Sequence, residues 1–336
     1  MSSENNNKKV NDGEMLLSVK DLTVQYTSMG SVVRAVNGVS FDLKRGQTLA
    51  LVGETGAGKT SIAKAILRIL PDISATAKGS VVFDGEDLMK LKDKDMEKIR
   101  GHKISMIFQD PMTALNPIMR VGRQISEVLT AHRHLTREEA VEEGKKMLEM
   151  VGIPAERYNE FPHQFSGGMK QRVVIAMALA CTPELLLADE PTTALDVTIQ
   201  AQVLELINDL KERLNTSMIL ITHDLGVVNE TCDDVAVVYA GKIIESGKKR
   251  DVFKNPLHPY TNGLFGALPN MNLDSERLSP IEGLPPDPTD LPDGCAFAPR
   301  CPYATDKCRQ GDIPAVEVEP GHFCECIRVH EIRKEQ

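Results

Sequence analysis

The chain has 336 residues and is acidic, with a formal net charge of −9 at pH 7. This balance argues against a nucleic-acid-binding protein that relies on a broad basic face. Its length suggests one large domain or two unequal ones, and the 41% of apolar residues is enough for a substantial core. No apolar run reaches the ~18–20 residues that a membrane span needs. The N-terminus lacks the apolar core of a secretion signal, so no secretion is implied, and because it is rich in Ser, Asn and Lys we expect a disordered tail over residues 1–14.

Alternating segments at 15–26 and 35–43 place apolar residues at every second position, which is the pattern of half-buried strands. A short apolar strand over 48–52 then runs into the sequence GETGAGKT at 53–60. Residues 61–70 follow with helical spacing of their apolar side chains and end at a proline. A strand, a glycine-rich loop and a helix in this order are typical of a phosphate-binding loop.

The chemistry of this loop points to a nucleoside triphosphate. Its glycines let backbone N–H groups turn inward around a phosphate, and the helix N-terminus adds partial positive charge. Lys59 supplies a full charge for the β- and γ-phosphates, and the Thr60 hydroxyl is suited to Mg²⁺. Tyr26 lies at a strand end upstream, where its ring can stack on adenine or serve as an ordinary strand tyrosine.

Polar side chains follow three further apolar strands. Because ligands bind at the carboxyl ends of strands in a parallel α/β sheet, a polar side chain at such a strand end is in the expected position for a nucleotide or metal contact. Asp189 suits a Mg²⁺ ligand acting through water, and Glu190 suits the group that orients or deprotonates an attacking water. Gln109 suits a nucleotide or metal contact, and His223 can bond a γ-phosphate. The strands that precede these residues are predicted at 104–108, 185–190 and 218–222.

A different character marks residues 117–160, which are charged and helical in period without a strong strand. We interpret this stretch as an inserted helical subdomain. The sequence FSGGMKQR at 165–172 then opens another helix with bare backbone amides at its N-terminus, where an anion can bind. A Ser-Gly-Gly turn taken alone is also a common helix cap.

Five ordered motifs resemble those of the ATP-binding cassette (ABC) transporter ATPases. The resemblance implies an α/β fold with an ABC-type P-loop ATPase core, in which a mixed sheet is flanked by helices. The core is expected over residues 15–267, with the helical subdomain at about 117–165. Met169 departs from the family pattern, because it replaces a glutamine and cannot make that residue's polar contacts. The motifs are GETGAGKT, Gln109, FSGGMKQR, LLLADEPT and His223.

The same resemblance implies roles for individual residues. Glu190 is implied as the catalytic carboxylate and His223 as the switch histidine. Two cassettes are implied to dock head to tail, so that each ATP lies between the phosphate loop of one and the Ser-Gly-Gly turn of the other. The implied Mg²⁺ ligands, direct or through water, are Thr60, Gln109 and Asp189. The implied nucleotide or dimer contacts are Tyr26, Gly53, Glu54, Thr55, Gly56, Ala57, Gly58, Lys59, Thr60, Ser61, Gln109, Ser166, Gly167, Gly168, Asp189 and Asp196.

The sequences QDPMTALNP at 109–117, HPYT at 258–261 and GLPP at 283–286 resemble those of oligopeptide and dipeptide importer ATPases. This narrower resemblance implies a subunit that couples ATP hydrolysis to uptake of di- and oligopeptides at the cytoplasmic face of the cell membrane. It also implies a second ATPase subunit, two transmembrane permease subunits and, indirectly, a solute-binding protein, but no nucleic acid. The alternatives are the ATPase of a nickel or sugar importer, or a soluble ABC ATPase without a transport role.

Five of the seven cysteines lie between residues 295 and 326, within a segment at 268–336 that joins a Pro-rich linker to a small C-terminal domain. The spacing lacks the C-x-x-C pair of a zinc ribbon. Four thiolates on a loop-rich segment can hold a [4Fe–4S] cluster, and zinc or free thiols are the alternatives. The residues alone leave the cluster and zinc open. The peptide-importer resemblance implies a cluster and leaves Cys324 without a role; its implied ligands are Cys295, Cys301, Cys308 and Cys326.

Overall fold

The structure is a computed structural model, and it describes residues 13–28, 30–193, 195–266 and 281–335. Most of the predicted N-terminal tail and the first part of the predicted linker lie outside these ranges. Within them, two β-sheets are flanked by helices. The strands are β1 (Met15–Ser28), β2 (Ser31–Lys44), β3 (Thr48–Val52), β4 (Ala75–Phe83), β5 (Glu86–Asp87), β6 (Ile104–Ile107), β7 (Leu185–Asp189), β8 (Ser217–Thr222), β9 (Asp234–Tyr239), β10 (Lys242–Lys248), β11 (Val316–Glu319) and β12 (His322–Cys324).

The small sheet is antiparallel and has the order β2-β1-β4-β5. The large sheet has the order β11-β12-β10-β9-β3-β8-β7-β6. Strands β9, β3, β8, β7 and β6 are parallel, whereas β10, β12 and β11 add to one side in antiparallel fashion. This mixed sheet with flanking helices confirms the predicted fold class.

Strand β3 shows why its sequence is apolar at nearly every position. Successive side chains of a strand point to opposite faces of the sheet. Leu49 and Leu51 enter the core between the two sheets, while Ala50 and Val52 enter the core beneath the helices of the other face. The side chains of β7 and β8 alternate between the same two cores. A parallel sheet covered on both faces requires such continuous apolar runs, which made these strands predictable.

The helices cover both faces of the large sheet. Helix α1 begins directly after the glycine-rich loop and ends sooner than the predicted 61–70, because Arg68 adopts a left-handed conformation with φ 51°. Helices α4 and α5 form a pair inside the predicted helical subdomain. The helices are α1 (Lys59–Ile66), α2 (Asp93–Ile99), α3 (Pro111–Ala114), α4 (Val121–Arg133), α5 (Arg137–Met150), α6 (Gly167–Leu179), α7 (Val197–Leu214), α8 (Leu225–Thr231), α9 (Lys249–Lys254), α10 (Pro259–Gly266) and α11 (Val329–Glu335).

The C-terminal segment is continuous with the rest of the fold. Strand β12 pairs with β10, so that Cys324 lies opposite Glu245, and β11 extends the same sheet by one more strand. The ring of Phe297 is 2% exposed and belongs to the core beneath the large sheet. Within the described ranges, no helix combines the length and the apolar content that a membrane span requires.

Candidate functional site

One edge of the large sheet gathers the residues that the sequence motifs single out. The parallel strands β3, β6, β7 and β8 all end at this edge. The glycine-rich loop follows β3, and three polar residues lie just beyond the ends of the other strands: Gln109, Glu190 and His223. The parallel register therefore places motifs that are far apart in the chain side by side.

The backbone of the glycine-rich loop packs so closely that side chains are excluded at two positions. Gly53 has φ 152°, and a Cβ atom there would lie 2.1 Å from the carbonyl oxygen of Val238. Gly58 has φ 103°, and its Cβ atom would lie 2.2 Å from the carbonyl oxygen of Ala35. The loop is thereby pressed against β9 and β2. At its tip, the residues Thr55 and Gly56 are exposed, while Ala57 is buried.

Lys59 reaches back across the loop that precedes it. Its Nζ donates to the carbonyl oxygen of Gly53 at 2.7 Å and to that of Glu54 at 3.0 Å. The side chain is 5% exposed, and this burial lowers the pKa of Lys59, although the nearby carboxylates of Glu190 and Asp189 oppose the shift. A poorly hydrated ammonium held against the backbone of a glycine-rich loop is a strong site for a phosphate oxygen.

Thr60 and Asp189, two of the predicted Mg²⁺ ligands, are in direct contact. The Thr60 hydroxyl donates to Oδ1 of Asp189 at 3.0 Å, although 129 positions separate them. Asp189 ends β7 and is 2% exposed. Burial raises the pKa of Asp189, while the hydrogen bond from Thr60 acts in the opposite direction. A hydroxyl and a buried carboxylate at this distance are hard oxygen donors of the type that Mg²⁺ prefers.

Glu190 is the centre of a second polar group. Its Oε2 accepts hydrogen bonds from Gln109 Nε2 at 3.0 Å and Thr193 Oγ1 at 2.8 Å, while Oε1 lies 3.4 Å from His223 Nδ1. Its backbone is left-handed, with φ 45°, and its N–H donates to the carbonyl oxygen of Ile221 at 2.9 Å. A non-glycine residue in this conformation is held there by its surroundings. Sequence analysis did not identify Thr193, which carries no distinct motif.

Tyr26 lies beside the first turn of α1. Its hydroxyl is 3.1 Å from Oγ of Ser61, and either atom can donate. Both residues are partly buried. This contact ties the end of β1 to the phosphate-binding helix, and the stacking of Tyr26 on adenine stays a prediction.

The Ser-Gly-Gly turn caps α6 and is open to solvent. The Ser166 hydroxyl accepts from the N–H of Met169 at 3.4 Å, and both Ser166 and Gly167 are exposed. A Cβ atom on Gly168 would lie 2.6 Å from Ile199, so a glycine there lets α6 approach α7. Among the described residues, no hydrogen bond joins this turn to the glycine-rich loop of the same chain.

Asp196 is the N-terminal cap of α7. Its Oδ1 accepts from the N–H of Ile199 at 3.0 Å, and the side chain is exposed. Its predicted contact with a second cassette stays a prediction.

The four cysteines predicted as ligands line one small cavity. Phe297, Ile313 and Ile332 also line it. Cys324 is not among the lining residues: it packs with Leu257 and Val329 in a separate small cluster, and burial raises the pKa of its thiol. In the described part of the chain, no three or more His, Cys, Asp or Glu side chains are arranged as a group that could hold a metal ion. The cavity-lining cysteines are Cys295, Cys301, Cys308 and Cys326.

Two residues that sequence analysis left without a role contact the glycine-rich loop at Glu54. Tyr260, from the sequence HPYT, accepts from the N–H of Glu54 at 3.0 Å. Arg300, between Cys295 and Cys301, forms two hydrogen bonds to the Glu54 carboxylate. The sequence HPYT was a family signature without an assigned contact, and nothing in the sequence pairs Arg300 with a residue 246 positions away.

Comparison with known proteins gives matches over most of the chain. A family model described as "ABC transporter" matches residues 36–193, and one described as "Oligopeptide/dipeptide transporter, C-terminal region" matches 244–308. The dipeptide transport ATP-binding protein DppD of Bacillus subtilis (strain 168) is 54% identical over 86% of this chain and 87% of its own length. The oligopeptide transport ATP-binding protein OppD of Escherichia coli (strain K12) is 48% identical over 94% of each chain.

Solved structures match the same region. The dimeric, post-hydrolysis state of the ATP-binding cassette MJ0796, bound to ADP and Pi, superimposes with a TM-score of 0.63 and 28% identity. The match covers 70% of this chain and 99% of that one.

Proposed function

The chain belongs to the ABC transporter family, and from that premise we propose that it is the ATP-hydrolysing subunit of an importer of di- and oligopeptides. The observation that carries the chemistry is Glu190, held at the sheet edge by Gln109 and Thr193. The substrate class is supported by the relatives, which are named dipeptide and oligopeptide transport ATP-binding proteins, and by the match of the C-terminal region.

In this proposal the phosphates of ATP bind to the backbone amides of residues 53–61 and to Lys59. On binding, the Lys59 ammonium exchanges its contacts with the carbonyl oxygens of Gly53 and Glu54 for phosphate oxygens. Thr60, Asp189 and Gln109 would hold Mg²⁺ through their oxygen atoms, with Asp189 acting through water, and the ion would neutralise charge on the phosphates. Because Nε2 of Gln109 already donates to Glu190, its Oε1 is the atom left for the cation.

Glu190 acts as the general base that orients the attacking water and accepts its proton. Its Oε2 already accepts two hydrogen bonds, so Oε1 is the atom that faces the water. His223 lies 3.4 Å from that oxygen and, being 65% exposed, is free to turn toward the γ-phosphate. Phosphoryl transfer to water in such sites is catalysed mainly by positioning and charge stabilisation.

We propose that a second cassette completes the site. The open Ser-Gly-Gly turn and the lack of a hydrogen bond from it to the glycine-rich loop, among the described residues, support this arrangement. The structural relative is itself described as a dimer with ADP and Pi. Gly167 and Gly168 would then present their amides, with the Ser166 hydroxyl, to the γ-phosphate on the partner subunit.

We further propose that residues 108–118 dock the transmembrane permease subunits, which would hold the chain at the cytoplasmic face of the membrane. Three large apolar side chains in this stretch are solvent-exposed: Phe108 at 43%, Met112 at 60% and Ile118 at 86%. Phe108 directly precedes Gln109, whose side chain donates to Glu190, so the proposed docking stretch adjoins the catalytic carboxylate. We assign residues 15–267 to the cassette and 268–336 to the C-terminal extension.

Uptake measurements in the source cell test this function. A strain without the gene should fail to take up a radiolabelled tripeptide. A plasmid copy of the wild-type gene should restore uptake, and a copy encoding Glu190→Gln should not. Normal peptide uptake together with a loss of nickel or sugar uptake would instead identify one of the alternative importers.

For the cysteines we propose a [4Fe–4S] cluster held by Cys295, Cys301, Cys308 and Cys326. The support is that all four thiols line one mostly apolar cavity and that Cys324 does not. Four soft thiolates are the donor set of such clusters. The cavity is small, and in the described residues the thiols are not yet arranged as a group that could hold a metal ion, so the loops must adjust when the cluster binds. When bound, such a cluster supplies a cross-link between loops and a one-electron redox centre.

Anaerobic purification distinguishes the cluster from zinc. We expect iron and acid-labile sulfide with broad visible absorbance, lost in Cys301→Ser and kept in Cys324→Ser. These two variants are matched, because each removes one C-terminal thiol. Stoichiometric zinc without visible absorbance would replace the cluster by the zinc alternative, and loss of metal in Cys324→Ser alone would refute the ligand assignment.

A further inference from the structure

The C-terminal part of the chain holds the phosphate-binding loop at one residue, Glu54. The N–H of Glu54 donates to the Tyr260 hydroxyl at 3.0 Å, and its carbonyl oxygen accepts from Lys59 at 3.0 Å. Its two carboxylate oxygens accept from Nη1 and Nη2 of Arg300 at 2.9 and 3.1 Å. Every polar group of Glu54 is therefore engaged, and two of its three partners lie outside the cassette motifs.

Arg300 is held in place by contacts other than the one with Glu54. Its side chain is 5% exposed, and its guanidinium lies 5.9 Å from the ring centres of both Tyr239 and Phe297. Nε donates to the carbonyl oxygen of Glu282 at 3.0 Å, and Nη2 donates to that of Ile281 at 3.3 Å. A planar fork held in this way can bind a carboxylate only in one orientation, which lysine cannot reproduce.

Tyr260 is equally constrained. It is fully buried, and its ring centre lies 4.6 Å from that of Tyr239. Its N–H donates to Nδ1 of His258 at 3.0 Å, and the N–H of His258 donates to Oε2 of the buried Glu245 at 2.8 Å. The hydroxyl that meets Glu54 is thus at the end of a rigid buried network and not on a mobile side chain.

We propose that Arg300 and Tyr260 are positioning residues for ATP binding: by fixing Glu54 they hold the phosphate loop in its binding conformation before nucleotide arrives. The inference rests on the ATPase function proposed above. A loop ordered in advance loses less conformational entropy when its ligand binds, which appears as tighter binding. Arg300 directly precedes Cys301, so the segment that contributes cysteines to the small cavity also controls the nucleotide affinity of the loop.

A double-mutant cycle tests the proposal. Arg300→Gln, Glu54→Gln and the double variant are made in the full chain with the Glu190→Gln background, so that ATP is not consumed. The dissociation constant of Mg-ATP is measured by calorimetry. We expect each single change to weaken binding about fivefold, a coupling of ordinary size for a direct contact. The double variant should bind no more weakly than either single variant, because both changes break the same interaction.

Conservative variants separate positioning from loss of structure. Arg300→Lys keeps the charge but not the fork and should weaken binding nearly as much as Arg300→Gln. Tyr260→Phe keeps the buried ring but removes the acceptor and should weaken binding by less. Arg333→Gln is the matched control: it removes one arginine of the same extension, which pairs with Glu319 at 2.6 Å, and should leave ATP affinity unchanged.

The possible results are decisive in either direction. Wild-type ATP affinity in Arg300→Gln would show that the pair only docks the extension, and additive losses in the double variant would show that the two residues act separately. Should Arg300→Gln fail to fold by circular dichroism, the comparison of Tyr260→Phe with the Arg333→Gln control decides. If the wild-type chain binds no Mg-ATP, the proposed function fails. This result differs from the one in which the wild type and Arg300→Gln bind Mg-ATP with the same dissociation constant, which would refute only the role of Arg300.

Discussion

Two regions gather reactive side chains, but the fold supports them differently. One is the edge of the large sheet that carries the glycine-rich loop, Asp189 and Glu190, called here the nucleotide edge. The other is the cavity lined by Cys295, Cys301, Cys308 and Cys326, called here the thiol cavity. At the edge, Thr60 and Asp189 meet at 3.0 Å because a helix start and a strand end carry them on a sheet buried on both faces. At the cavity, the four thiols lie on or near loops, and within the described residues they share a lining without forming a group that could hold a metal ion. In these two regions, a helix start and a strand end hold two oxygen ligands within hydrogen-bond distance, whereas the segments around the cavity bring the four thiols near one another without forming such a group.

The strongest test of this contrast is Glu190→Gln, which changes one atom type at the ordered edge. The amide cannot accept a proton from water, so we expect turnover to fall by about 10³-fold, within the range of general-base catalysis. Mg-ATP binding should stay within about twofold, because the substitution does not alter the phosphate loop. Thr193→Val is the companion variant: it keeps the base but removes one hydrogen bond to it, and should cost far less. Near-normal hydrolysis by Glu190→Gln would remove this carboxylate from the mechanism.

The strands that form the nucleotide edge could be predicted from the sequence for a physical reason. Strands β3, β7 and β8 are apolar on both faces, so their positions and the polar residues that follow them were visible without a structure. Helix α7 has equally clear limits, because it begins after the cap Asp196 and ends at Asn215 in a left-handed conformation.

Other parts could not be predicted in this way. Strands β11 and β12 have four and three residues, too few to show a period of two, and they belong to the sheet only because they pair with β10 and with each other. The Arg300–Glu54 contact joins two loops 246 positions apart and depends wholly on tertiary packing. Thr193 was missed because it carries no distinct motif, and its hydrogen bond to Glu190 depends on the turn that the backbone makes after β7.

The stability of the fold beside the thiol cavity should depend on pH. His258 lines this cavity and is buried, and burial lowers its pKa to about 4, although the charge of Glu245 opposes this shift. The unfolded chain has a histidine pKa of about 6.5, so the unfolded state binds the proton first. Stability is therefore complete above about pH 6.5 and falls as the pH drops toward 4, by up to about 3 kcal/mol.

Urea unfolding between pH 7.5 and 5 measures this loss, with His258→Asn as the control. The asparagine oxygen can accept the N–H of Tyr260 in place of Nδ1 but does not titrate in this range. Glu245 and His322, which bond to each other at 2.8 Å in the same network, remain in both proteins. The variant should therefore lose less stability on acidification than the wild type, and identical pH profiles would contradict the role of His258.

The smallest expected effect concerns Asp196, where the edge meets the proposed second cassette. Asp196→Ala removes the cap of α7 and should lower the free energy of unfolding by about 1 kcal/mol, whereas Asp196→Asn keeps a good cap and should change it by a few tenths at most. ATPase activity at several protein concentrations then separates the two roles. If Asp196 also contacts a partner, Asp196→Asn should raise the protein concentration needed for half-maximal activity although the helix is intact. If ATPase activity of Asp196→Asn depends on protein concentration as in the wild type, while Asp196→Ala is less stable, then Asp196 acts only as a helix cap.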